Sequence, residues 1–228
     1  MTLFSFGCSL TEFVGIKEKL SSLLNIDYIN SAQAAGSNQL QINKFNELIL
    51  ENKIKKDDVI YWQITFMYRR YKRLMIDDLP LIKQIQDTEF NFVGTHFIVK
   101  SRNIFDNELR IDLMSNSPWL DKYLDESEVD FNQELQTLLS TIILCKKTTK
   151  NVIVVFGWDD VMSNDHLHIF KNYLNTHNIS YIDKSYLTFV NENKLEYIDD
   201  IHPTQRSAEI FAENEVYPIL KKLIENEN

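Results

Sequence analysis

The chain has 228 residues, 44% hydrophobic and 25% charged, a length and balance that fit one large soluble domain or two small ones. Its net charge of -9 argues against a general binder of duplex nucleic acid, and no apolar run approaches the roughly 20 residues of a bilayer span. Two cysteines, Cys8 and Cys145, exclude a disulfide framework, and five glycines with four prolines leave little material for flexible linkers.

The chain begins with a short apolar run, residues 3–6, which reads as a strand and stops at Gly7. Residues 12–24 carry apolar side chains at helical spacing. Residues 27–30 read as a short strand and 37–52 as a helix. The segment "DVIYWQI", residues 58–64, is apolar nearly throughout, the pattern of a strand buried on both faces. After a long interval come a helix over 131–147, the strand "NVIVVF" at 151–156, a helix over 163–177, a last short strand at 179–182 and a closing helix over 203–223, with Pro203 in its first turn. No basic segment followed by an apolar one opens the chain, so the expected location is cytoplasmic.

Strands alternating with helices predict an α/β fold with a central parallel sheet and helices on both faces. One domain over 1–228 is expected. Residues 66–130 break the alternation and are too long for an ordinary loop, so they read as an insertion that caps a substrate site. In open parallel sheets, ligands bind outside the carboxyl ends of the strands. Those ends carry Gly7-Cys8-Ser9, Gly36-Ser37-Asn38, Gln63-Ile64-Thr65 with Arg69 beyond, and Gly157-Trp158-Asp159-Asp160. The segment "YIDDIHPTQ" precedes the last helix. Asp199 and His202 are three residues apart, a spacing that lets the carboxylate hold one imidazole nitrogen while the other faces a nucleophile. Ser9 is the candidate nucleophile. Cys8 is a weaker one, since a reactive thiolate needs a positive neighbour, and Asp200 competes with Asp199. Arg69, Arg70, Lys72 and Arg73 form a basic cluster, either a solvated face or, through Arg69, an anchor for an anionic substrate. His166 and His168 sit two apart on a helix and face different directions, so no metal site is expected.

The stretches "FGCSLT", "AAGSNQ" and "DDIHPT" resemble the first, second and last sequence blocks of the SGNH (GDSL-like) hydrolases. The resemblance implies a flavodoxin-like three-layer α/β/α fold with about five parallel strands, and an acyl-serine mechanism on esters. It makes Ser9 the nucleophile, His202 the base and Asp199 its orienter, with no cofactor. It also implies that the N–H groups of Gly36 and Ser9 face the oxyanion. The family's Gly-x-Asn-Asp block is absent. Gln63-Ile64-Thr65 stands there instead, as in divergent bacterial and phage members, so Thr65, Gln63 or the Asn38 amide is expected to replace the missing asparagine. Gln63, Arg69 and Trp158 are the expected substrate contacts. An O-acetylated carbohydrate is the expected substrate class. A sugar O-acyltransferase with the same triad and a binding module on a hydrolase scaffold are the alternatives. The sequence leaves the acyl group, the acceptor and the oligomeric state open.

Overall fold

The computed structural model describes residues 1–12, 15–33, 36–67, 70–74, 96–102, 109–115, 131–199 and 202–225. The central sheet has five strands, β1 (Thr2–Phe6), β2 (Asp27–Asn30), β3 (Val59–Ile64), β7 (Asn151–Phe156) and β8 (Ser180–Tyr181), in the order β2-β1-β3-β7-β8. Every pairing is parallel. The register sets Phe6 beside Trp62 and Ile64 beside Phe156, so β1, β3 and β7 end close to level. The chain leaves β1 toward β2 on one side and returns to β3 on the other. This reversal opens a crevice at the carboxyl ends of β1 and β3.

Alternation along the buried strands divides the core in two. Ile60, Trp62 and Ile64 of β3, with Val152, Val154 and Phe156 of β7, face one side. There they meet α3 (Asn38–Leu50), α4 (Phe131–Thr148) and α5 (Asn164–Thr176) through Phe45, Leu138, Ile142 and Phe170. Val59, Tyr61, Ile153 and Val155 face the other side, toward Ile16 and Leu20 of α2 (Ile16–Leu24), Phe189 of α6 (Tyr186–Glu192), Phe211 of α7 (Gln205–Phe211) and Leu220 of α8 (Tyr217–Glu225). Both layers are largely apolar, which is why β3 and β7 read as continuous hydrophobic runs. At the amino ends, the buried Asp58 carboxylate accepts the N–H of Thr2 and the N–H of Lys55, each at 2.7 Å, and pins the start of β1 to that of β3.

Three expectations need correction. The helix over 12–24 is two pieces, α1 (Ser9–Glu12) and α2. Pro203 lies outside the closing helix: it pairs with Tyr197 in an isolated antiparallel bridge, and Thr204 caps α7 by accepting from the Ser207 N–H. The closing helix carries a π-helical turn, Ala212–Val216, between α7 and α8. Helix α6 was not anticipated, because its seven residues are too few for a periodic signal. Within the long interval lie β4 (Arg70–Leu74), β5 (His96–Arg102) and β6 (Leu109–Ser115), which form an antiparallel sheet in the order β4-β6-β5. No described helix is long and apolar enough to cross a membrane.

Tyr61 and Tyr186 are buried side by side beneath the second face, and burial raises both phenols above the ordinary value of 10.0. Above that pH the unfolded chain sheds these protons while the folded one keeps them. The stability they confer is therefore complete below pH 10 and is lost as pH rises through the folded values. Denaturant midpoints are expected to fall steadily above pH 10. In alkaline spectrophotometric titration, two of the ten tyrosines should ionise only as the protein unfolds.

Candidate active site

β1 ends in a turn that leaves no room for a side chain. A Cβ on Gly7 would lie 2.3 Å from Thr11 Oγ1 and 3.0 Å from Gln63 Oε1, so glycine is required by close approach. The Cys8 carbonyl accepts the N–H groups of Thr11 and Glu12, both at 2.9 Å, and α1 starts at once with Ser9. The buried ammonium of Lys17 closes the far end of this short helix. It donates to the carbonyls of Thr11 at 3.2 Å and Glu12 at 2.7 Å, and Glu18 balances its charge at 3.0 Å.

The second component comes from a folded-back loop. Tyr197 bridges Pro203, the Ile198 N–H donates to the His202 carbonyl at 2.7 Å, and the Thr204 N–H donates to the Glu196 carbonyl at 2.9 Å. Thr204 then starts α7, so the loop is fixed to a helix packed on the core. Inside it, Asp199 Oδ1 accepts the His202 backbone N–H at 2.7 Å, and Oδ2 lies 2.8 Å from His202 Nδ1. The carboxylate makes Nδ1 the protonated nitrogen of the neutral ring and leaves Nε2 as an acceptor. Nε2 lies 3.0 Å from Ser9 Oγ. The structure thus brings Ser9, His202 and Asp199 into one hydrogen-bonded line. Such a line accepts a proton from the hydroxyl and stabilises the imidazolium that results. Ser9 is 9% exposed, whereas the side chains of His202 and Asp199 are 25% and 53% exposed, so the line runs outward from the turn to solvent.

The other expected residues are placed differently. The Gly36 N–H donates to the Gln33 carbonyl at 2.8 Å. Gly36 is needed for fit, since a Cβ there would sit 2.7 Å from the Gln33 carbonyl and 3.2 Å from that of Gly7. Asn38 is completely buried. Its Oδ1 accepts the Thr65 N–H at 3.1 Å, and its Nδ2 donates to the Thr65 carbonyl at 3.0 Å and contacts Met67 Sδ at 3.3 Å. Both amide hydrogens are committed, so Asn38 clamps the end of β3 and does not donate to a bound oxyanion. Thr65 is also fully buried, and its hydroxyl has no hydrogen-bond partner among the described residues. Gln63 has no exposed surface to offer a substrate: its Oε1 sits under the first turn, 3.0 Å from Thr11 Oγ1 and 3.3 Å from Cys8 Sγ. Cys8 itself is buried on that inner side, away from the serine. Trp158 is half-buried and packs on Phe66, with ring centroids 4.4 Å apart and the planes tilted by 31°, at the ends of β7 and β3. Arg69 and Asp200 lie outside the described residues.

Sequence reasoning missed Thr11, Lys17 and the Tyr197–Pro203 bridge. The signal for the first was in view. Gln63 is the one amide in an otherwise apolar strand, and a polar side chain buried there needs partners.

No family model matches the sequence, and no curated protein matches it. Among solved structures, the fold resembles a member of the lipolytic G-D-S-L family from Veillonella parvula (15% identity, 93% of this chain and 94% of that one, TM-score 0.51). It also resembles a psychrotrophic esterase from Pseudoalteromonas sp. (11% identity, 99% of each chain, TM-score 0.51) and an acylhydrolase-like protein from Bacteroides fragilis (14% identity, 97% and 88%, TM-score 0.50). At these identities the likeness establishes the fold, that of SGNH/GDSL α/β hydrolases.

The Asn38 clamp is testable without knowing the reaction. Asn38→Leu leaves both the N–H and the carbonyl of Thr65 unpaired in the interior, a loss of about 1–3 kcal/mol for each group stranded. Denaturant unfolding should show that loss in the midpoint, with an unchanged slope. An unaffected midpoint would mean that the end of β3 is held by something else.

Proposed function

We propose that the protein is a serine esterase that acts through an acyl-serine intermediate, with Ser9 as nucleophile, His202 as base and Asp199 as its orienter. The observation that carries this reading is the Ser9–His202–Asp199 line, with links of 3.0 and 2.8 Å, at the carboxyl end of the first strand of an SGNH-type sheet. Ser9 Oγ attacks the ester carbonyl while its proton passes to His202 Nε2. The tetrahedral adduct collapses, the alkoxide leaves with that proton, and the acyl group stays on Ser9. Water then attacks the acyl-serine, again giving its proton to Nε2, and the acid departs as Oγ recovers the proton. Asp199 keeps the ring in the tautomer that both halves require and opposes the charge on the imidazolium.

The Ser9 N–H supports the oxyanion in this reading. Ser9 opens α1, so its N–H has no intrahelical acceptor. Donors of this kind act on charge that develops only in the transition state. Arg69 is the substrate anchor we assign from the sequence, and the Phe66–Trp158 pair supplies an apolar wall. The choice of an O-acetylated carbohydrate as substrate rests on the sequence resemblance, and residues 66–130 are proposed to cap that substrate.

Ser9→Ala is expected to remove p-nitrophenyl acetate hydrolysis and labelling by a fluorophosphonate, with unfolding unchanged. Asp199→Asn is expected to lower kcat on the order of 10^2- to 10^4-fold. A Ser9→Ala protein that keeps its rate excludes the mechanism. Absence of label on the native chain, with measurable carbohydrate binding, would favour a binding module. Added sugar that outcompetes water for the acyl group would make the protein a transferase.

A further inference from the structure

Beneath the turn that carries Ser9 lies a buried polar contact to which the reading above gives no role. Gln63 is on β3, fully buried, and its side chain reaches across to the end of β1. Its Oε1 receives the Thr11 hydroxyl at 3.0 Å and the Cys8 thiol at 3.3 Å, and faces the Cys8 N–H at 3.5 Å. All three groups are donors, and the N–H has no lone pair to offer, so the atom between them is the amide oxygen and not its nitrogen. Gln63 Nε2 has no hydrogen-bond partner among the described residues. The strand therefore leaves one amide group of this side chain unsatisfied while its oxygen gathers donors from the residue just before Ser9 and the residue two beyond it. Gly7 is glycine because this contact is so close: its own Cβ would overlap Thr11 Oγ1.

We infer that Gln63 and Thr11 form a positioning pair for the nucleophile, in which a buried amide oxygen on the neighbouring strand holds the turn on both sides of Ser9 and so fixes where its Oγ meets His202. This rests on the esterase reading and goes beyond it, because neither side chain touches the reacting atoms. Ser9 reaches His202 across a gap closed by tertiary packing alone, since the two are 193 residues apart in sequence. Hydrogen-bond alignment at that gap depends on the backbone of residues 8–11, and nothing in a four-residue helix is rigid by itself. A displacement of about 1 Å at a reacting group is enough to cost on the order of 100-fold in rate. Substrate binding is not touched, so the defect belongs in kcat and not in KM.

The test uses the full chain and two probes, a fluorophosphonate read by intact mass and p-nitrophenyl acetate. Thr11→Val replaces the hydroxyl by a methyl of the same shape, Thr11→Ser restores the hydroxyl, and Gln63→Met keeps the length of the side chain while removing its oxygen. Thr11→Val and Gln63→Met should label at Ser9 about 10- to 100-fold more slowly and lose kcat equally, with KM unchanged, while Thr11→Ser returns to within a few-fold of wild type. The double variant should be no slower than the worse single one. If Gln63→Met does not fold, the Val and Ser substitutions at Thr11 decide alone. Labelling of Thr11→Val at the wild-type rate overturns the inference, as does a Thr11→Ser protein as slow as Thr11→Val, or a loss confined to KM. A wild-type chain that does not label at Ser9 overturns the esterase reading itself, and the inference with it.

Discussion

The parallel pairing of β1 with β3 is the constraint on which the rest depends. Both strands are buried on both faces, so their backbone groups can bond only to neighbouring strands, β1 to β2 and β3 and β3 to β1 and β7, and the register that satisfies them is fixed by where the apolar runs begin and end. Asp58 sets the common starting line at one end. At the other end, the same register delivers the Gly7–Ser9 turn next to Gln63. Around it, the Gly7 carbonyl accepts the Gln33 N–H at 3.2 Å and the Ser5 carbonyl accepts the Ser31 N–H at 2.8 Å, which draws in the loop after β2. The crevice follows from strand pairing, and the Ser9, His202 and Asp199 side chains are attached to its rim.

Much of this was legible in the residues, for identifiable reasons. β3 and β7 are apolar at every position but one or two, and such runs have few structural meanings. Ser9, Asp199 and His202 stood out because their chemistry is specific and their local spacing is short. What could not be read was direction. Asn38 and Gln63 sit at strand and helix ends that border the site, and sequence gives no means of telling an amide that faces the crevice from one turned inward. The structure turns both inward, one onto the Thr65 backbone and the other onto Thr11 and Cys8. Gly36 is similar: the residue type was informative, and what the structure adds is an N–H bonded to the Gln33 carbonyl. Pro203 misled because a proline is equally at home just before a helix cap and just after it.

The outward gradient of burial along the Ser9–His202–Asp199 line has an electrostatic meaning. At 53% exposure, the Asp199 side chain interacts with the imidazole through partly watered surroundings, where charge attraction is weak. Its two hydrogen bonds, one to the ring and one to the His202 backbone, are geometric devices first. They hold His202 at two points, ring and backbone, from one residue, and the Tyr197–Pro203 bridge closes the loop that carries both. Orientation at the rim is therefore achieved by local loop chemistry, while orientation at the floor is left to buried polar contacts. The two halves of the site are built by different means and tolerate change differently.

The wide separation of those halves along the chain has a consequence for biosynthesis. A ribosome adds residues from the amino end, so Ser9 emerges 193 residues ahead of His202. Until His202 follows, the Ser9 hydroxyl of the nascent polypeptide lacks the imidazole partner it has in the folded chain. The Ser9–His202 hydrogen bond can close only once the loop after α6 has been made, and all five strands of the central sheet precede that loop. A chain cut short by a nonsense codon before that loop would keep all five strands and lose Asp199 and His202, together with the Phe211, Val216 and Leu220 side of the core.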